Sequence, residues 1–284
     1  MIEPALVVPA DLGEAYRLLA EARHRPLAGG TDLYVQLSGG LGPRSERLLD
    51  LWRLDELRGI RADRATLSLG ALTTYTEIRR SDACRELLPA LVEAAATVGA
   101  AQIQNRGTLG GNIANASPAG DTLPVLLATD AEIVVGSVRG ERSVPAASFW
   151  TGYRRTALEP DEIVVRVRIP LVDGRHVRFR KVGTRRAQAI SKVVLALSWV
   201  ASGSGDPWHS VRLALGSVAE RPIRAGTTEA WLEGRLPDSD TADTASVRVA
   251  AEIEPINDVR STADYRRAVT ARVLHRMIRD AGGW

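Results

Sequence analysis

The chain has 284 residues, 45% of them apolar and 25% charged, which suits a globular protein with room for about two domains. Its net charge of +3 is spread without a basic block and only 5% of residues are aromatic, so it offers no platform for nucleic acid. The single cysteine, Cys84, excludes an internal disulfide and a thiolate-held cluster, and apolar runs such as 193–201 fall well short of the ~18 residues of a membrane span.

The opening MIEPALVVPADLGEAY has no basic start and no signal-like apolar block, so the cytoplasm is the expected compartment. Leu12, Ala15, Tyr16 and Leu19 recur at helical spacing and predict a helix over 12–23. A short apolar step, PLA, runs into GGTDLYVQL, where Thr31 or Asp32 can cap a helix beginning at Leu33. Residues 47–52 and 65–71 read as strands, and 88–100 as a helix with Pro89 in its first turn. The glycine-rich stretch GTLGGNIANASPAGD, 107–121, reads as a loop, with Asp121 placed to cap a short helix over 122–129. Strands follow at 131–138 and 162–170, the second closed by Pro170. Beyond residue 175, three strand candidates (HVRFRKVG, KVVLALSWVA and VRLALGSV) precede helices over 227–234, 241–253 and 261–280. Strands followed by helices in one block indicate an α+β unit. The short polar link at 171–175 marks a domain boundary.

Two stretches suggest a ligand. In AGGTDL, 28–33, a strand ends in two glycines where a helix starts, an arrangement that can bare N–H groups to a phosphate or can be an ordinary turn. In 107–121, Gly110 and Gly111 can again bare N–H groups, while Thr108, Asn112, Asn115 and Ser117 supply short polar side chains. Neither a P-loop nor the dinucleotide fingerprint Gly-x-Gly-x-x-Gly is present, so a nucleotide held here is held in another way. No Ser-His-Asp or paired-carboxylate arrangement stands out, and the four histidines show no metal-site spacing. A redox role would therefore need an organic cofactor or a group on a partner.

Of the 37 basic residues only Lys181 and Lys192 are lysine, and both fall in FRKVGTRRAQAISKV, 179–193. Either this is chance in an arginine-rich composition, or a compact ammonium is required at one of these positions. A cation here could meet a phosphate or polarise a cofactor ring.

AGGTDL (28–33), RGTLGGNIANASPAGDTLPVLLA (106–128), TALEPDEIVVRVRIP (156–170) and FRKVGTRRAQAISKV occur in this order. Together they resemble the FAD-binding medium subunit of molybdenum hydroxylases, the family of xanthine dehydrogenase and aerobic carbon monoxide dehydrogenase. The resemblance runs over nearly the whole chain and is most specific in 106–128. It implies an α+β protein: a two-subdomain FAD-binding fold of the vanillyl-alcohol-oxidase-like type over 1–172 (subdomains about 1–57 and 58–172), then a C-terminal α+β domain, 175–284, with a three-stranded sheet and helices. It implies that Ala28, Gly29, Gly30, Thr31, Asp32 and Leu33 form the first pyrophosphate loop. Thr108, Gly110, Gly111, Asn112 and Asn115 would surround the pyrophosphate and ribityl chain, with Ser117 and Asp121 completing the pocket. Val164 would contact flavin or adenine, Lys181 would lie near the FAD, and Arg185, Arg186 and Lys192 would belong to a loop near the flavin. No residue is expected to be catalytic.

The family also implies partners: a small subunit with two [2Fe-2S] clusters and a large subunit with molybdopterin, in a dimer of heterotrimers. Electrons would reach FAD here and leave to an external acceptor, so the clusters' thiolates would belong to the partner. Two other readings stand beside this one: a standalone FAD-dependent oxidase, and a non-catalytic nucleotide-binding assembly protein.

Overall fold

The structure, a computed structural model, describes residues 5–39, 47–185, 188–203 and 205–284. The expectation for Arg186 falls outside these residues. Among the described residues the chain begins with a three-stranded parallel sheet, ordered Leu6–Val7, Arg47–Asp50, His24–Leu27. Parallel neighbours need crossovers, and the helices Leu12–Glu21 and Thr31–Ser38 lie in them. Asp11 caps the first helix through the Glu14 N–H, and its buried Ala15 and Leu19, four apart, pack with Leu49, Leu51 and Leu54.

A five-stranded antiparallel sheet follows, ordered Ile60–Ala62, Thr66–Gly70, Ile163–Pro170, Glu132–Ser137, Gly140–Pro145. The short helices between residues 75 and 128 pack on it, bringing Ile78, Leu91, Ile113 and Leu126 against Ile133 and Val167. The edge strands Ile60–Ala62 and Gly140–Pro145 were not foreseen. Both are short and mostly exposed, so neither carries an apolar pattern.

The C-terminal sheet has the three expected strands, Arg175–Val182, Val193–Val200 and His209–Gly216, and a two-residue fourth, Ile223–Arg224. The apolar run of Val193–Val200, interrupted only by the buried Ser198, is explained by burial on both faces. Val193, Leu195, Leu197 and Trp199 meet the helices Gly226–Leu232, Ser239–Glu252 and Ala263–Gly282. Val194 and Ala196 join Leu126 and Leu127 in the core of the five-stranded sheet. Asp130 adds a polar link, accepting from Arg212 Nε at 3.0 Å and Arg224 Nη1 at 3.2 Å.

Three local expectations are corrected. Helix Thr31–Ser38 starts two residues early, with Gly30, φ 75°, at the cap position and no side-chain cap. Part of the 107–121 stretch, Leu109–Asn115, is a helix. Glycine weakens a helix by only about 1 kcal/mol per residue, and here the Thr108 cap, the buried Leu109 and Ile113, and a Trp150 Nε1 bond to the Ile113 carbonyl at 3.1 Å hold it. Asp121 does not cap helix Leu123–Ala128, whose cap position, Thr122, makes no side-chain capping bond.

Candidate functional site

The first glycine turn leaves strand His24–Leu27 and enters helix Thr31–Ser38. The N–H groups of Gly30, Thr31, Asp32 and Leu33 make no hydrogen bond to a described residue, and the first helical bond is Tyr34 N to Gly30 O at 2.8 Å. Four uncapped donors at the positive end of a helix attract an anion.

The second turn is wired differently. Leu109 N donates to Thr73 O at 2.9 Å and Gly110 N to Ala71 O at 2.8 Å. Gly111 N donates to Thr108 Oγ1 at 3.1 Å and Asn112 N to Thr108 O at 3.0 Å. The donors that the sequence suggested Gly110 and Gly111 would bare are therefore engaged. These glycines serve close approach instead. A Cβ at Gly110 would lie 2.6 Å from the Ala71 Cβ. One at Gly29 would overlap the Arg106 carbonyl, which docks the first turn on the second. The Arg106 guanidinium is itself held 3.7 Å from the Trp52 ring centre. Gly111 alone looks across the gap: its Cβ would meet Thr108 Oγ1 at 2.8 Å and then only Ala28 Cβ at 4.0 Å.

The gap is a cleft of two adjoining cavities, about 360 and 740 Å³, which share Thr31, Asp32, Tyr75, Asn112 and Asn115. The smaller is lined by Ala28, Gly29, Gly30, Leu33, Thr108, Gly110, Gly111 and Val164, with apolar walls from Leu27, Leu51, Leu72 and Leu158. The larger holds Ser117 and Asp121 and reaches the C-terminal domain at Ser191, Ser217 and Arg266. Asn112 is oriented by Thr122 Oγ1, which donates to its Oδ1 at 2.7 Å. Burial raises the Asp32 carboxyl above its ordinary value, against the pull of the Arg154 charge and an Asn115 hydrogen bond.

Lys181 lines neither cavity but reaches this site from the C-terminal sheet. Its Nζ donates to Asp121 Oδ2 at 2.6 Å and to the Thr97 carbonyl at 3.0 Å. Both side chains are more than nine-tenths buried. A compact ammonium fits this enclosed place, which answers why lysine stands there. Burial pushes the Asp121 carboxyl up to about 6 despite Lys181. Its Oδ1 is buried without a hydrogen-bond partner among the described residues. The other lysine, Lys192, sits 4.8 Å from the Tyr265 ring centre, and Arg185 bonds the Gln188 carbonyl at 2.7 Å.

Two lining residues escaped sequence reading. Tyr75 lies within a Thr74–Glu77 capping box, at the first position of its helix, and is buried between the cavities, where burial and then the charges of Asp32 and Asp121 raise its hydroxyl far above the ordinary value. The capping box was readable; its position beside the cleft was not. Arg154, in the turn between strands Trp150–Gly152 and Arg155–Thr156, has no signal in a chain this rich in arginine.

Residues 2–172 match the family described as FAD binding domain in molybdopterin dehydrogenase, and 178–281 match the CO dehydrogenase flavoprotein C-terminal domain. The glyceraldehyde dehydrogenase medium chain of Sulfolobus acidocaldarius is 35% identical, covering 91% of this chain and 91% of that one. The xanthine dehydrogenase FAD-binding subunit of Escherichia coli O157:H7 is 33% identical, covering 96% of each. The solved carbon monoxide dehydrogenase of Hydrogenophaga pseudoflava, a form lacking the Mo-pyranopterin moiety, superposes with a TM-score of 0.93 at 31% identity, over 99% of this chain and 98% of that chain.

Proposed function

This chain belongs to the FAD-binding medium subunits of the molybdenum hydroxylases, and from that premise we propose how its residues serve as an oxidoreductase component. It accepts electrons from the [2Fe-2S] clusters of a small partner subunit and passes them to an external acceptor. The molybdopterin sits on a large partner subunit, and the assembly is a dimer of heterotrimers. We place it in the cytoplasm, since a chain with one cysteine suits a reducing compartment.

The residues present fit FAD. The observation that carries the reading is the pairing of an uncapped turn at 30–33 with Gly111, whose missing side chain keeps the facing wall open. The N–H groups of Gly30 to Leu33 would bind the pyrophosphate, supported by Thr108, Asn112 and Asn115. Ala28, Gly29, Gly110 and Val164 would shape the wall, and Ser117 and Asp121 would hold a polar part of the cofactor. The buried Asp121 Oδ1, without a partner among the described residues, is an acceptor that a cofactor donor would satisfy. Lys181 keeps that carboxylate ionised and aimed, acting through Asp121. When bound, FAD supplies the ability to take electrons singly and release them in pairs. The chain's own work is to bind and orient the cofactor and to exclude water, which requires no acid–base residue. We assign these tasks to 1–172, with 175–284 contributing Lys181.

Purification tests this. A yellow protein with noncovalent FAD is expected, copurifying with an iron–sulfur chain and a molybdopterin chain. A folded chain that binds no FAD under any condition would overturn the reading, as would turnover of a substrate by this chain alone.

A further inference from the structure

FAD carries two ionised phosphates, and the first glycine turn would meet them with neutral N–H groups and a carboxylate, Asp32. Like charges in a half-enclosed cleft need a cation. Among the described residues four arginines line the cleft: Arg25, Arg154, Arg260 and Arg266. Arg266 is buried, holding the Lys192 and Ser217 carbonyls and Asp258. Arg260 also bonds Asp258, at 3.1 Å, and Arg25 donates to Gln36 at 2.7 Å. Arg154 differs. It stands exposed at the turn of the 150–156 hairpin, in the left-handed region at φ 51°. Its Nη1 donates to Asn115 Oδ1 at 2.9 Å, and its charge acts on Asp32. It thus lines the larger cavity, bonded to the helix that follows the second turn and within electrostatic range of Asp32 in the first. A guanidinium has five donors in a planar fork that matches phosphate oxygens.

We propose that Arg154 is the counter-charge for the FAD pyrophosphate, held over the cleft by the 150–156 hairpin, which is fastened to helix Leu109–Asn115. This rests on the FAD reading above. The base of the hairpin is fixed by the buried Trp150, through its bond to the Ile113 carbonyl. Asn115 holds the guanidinium by one nitrogen, so the rest of the fork can turn to the phosphates.

The test is FAD titration of the flavin-stripped full chain, followed by flavin fluorescence at low and high sodium chloride. Arg154 is exposed, so Arg154→Gln should fold like the wild type. Expected is a roughly tenfold or greater loss of FAD affinity, since a hydrogen bond to a charged group is removed. The salt dependence of binding should flatten with it, because a screened attraction has gone. Arg154→Lys should keep the salt dependence and recover part of the affinity. Wild-type affinity in Arg154→Gln would overturn the assignment, and so would weaker binding with unchanged salt dependence. Absence of FAD binding in the wild type would instead strike the cofactor reading itself.

Discussion

The two glycine turns look alike in sequence and do opposite things. In 28–33 the helix begins on a left-handed glycine, no described side chain caps it, and its first N–H groups, unbonded among the described residues, belong to residues that line the cleft. In 107–112 every donor from Leu109 to Asn112 is bound within the protein, to Thr73, Ala71 or Thr108. One turn is built to receive charge and the other to stand still beside it. Glycine serves both, for different reasons. Gly30 takes a conformation with positive φ, whereas Gly29 and Gly110 let backbones touch. Glycine richness therefore marks close approach, and only the hydrogen bonds reveal whether a ligand or the protein itself is what approaches.

The contrast can be broken most severely at Gly29. A methyl there would collide with the Arg106 carbonyl, so Gly29→Ala should separate the turns, costing about 3 kcal/mol or more in thermal unfolding and abolishing FAD retention. Lys181→Met comes next. It strands the Asp121 carboxylate in a buried place and should cost about 3 kcal/mol at pH 8. The loss should shrink at pH 5, where Asp121 takes up a proton. In the wild type the folded value of Asp121, about 6, lies above its ordinary 3.8. Its contribution to stability is therefore present at low pH and lost as pH rises through about 6. A carboxyl NMR titration should find that midpoint near 6, moving higher in Lys181→Met. If it moved lower, Lys181 would not be what holds the charge.

Gly111→Val separates binding from folding. The side chain should enter the gap and lower FAD affinity at least tenfold, while stability falls by only about 1 kcal/mol through the displaced Thr108 cap. Normal FAD content in the folded variant would count against the cleft. The smallest effect sharpens the comparison most directly. Thr108→Ala should cost about 1 kcal/mol, as a cap is lost. Thr31→Ala should stay within about 0.5 kcal/mol, because Thr31 caps nothing. Equal losses in chemical denaturation would erase the distinction between the turns.

Much of this was legible in the residues. The long helices, the C-terminal strands and the two glycine stretches announced themselves through spacing. The helix at Leu109–Asn115 did not, because its stability comes from Ile113, Trp150 and Thr108 and not from helix propensity. The Asp121 carboxylate was read as a choice between cap and cofactor, but its partner, Lys181, is 60 residues away in sequence. No local rule joins two residues that meet only after the sheets have packed. The rarity of lysine was a usable signal, and one of the two lysines, Lys181, is the buried partner of Asp121, which the sequence did not name.

The two-sided strand Val193–Val200 carries a further consequence, for how the molecule can be cut and how it can move. Residues 171–175 look like a linker, yet Val194, Ala196 and Ala214 belong to the same core as Leu126 and Val167. Fragment 1–172 made alone would expose that oily seam and should aggregate. For the same reason the linker cannot serve as a hinge, since opening there would tear a continuous interior. Loading the cleft must then be a matter of surface segments giving way, with the two halves of the chain travelling as one block.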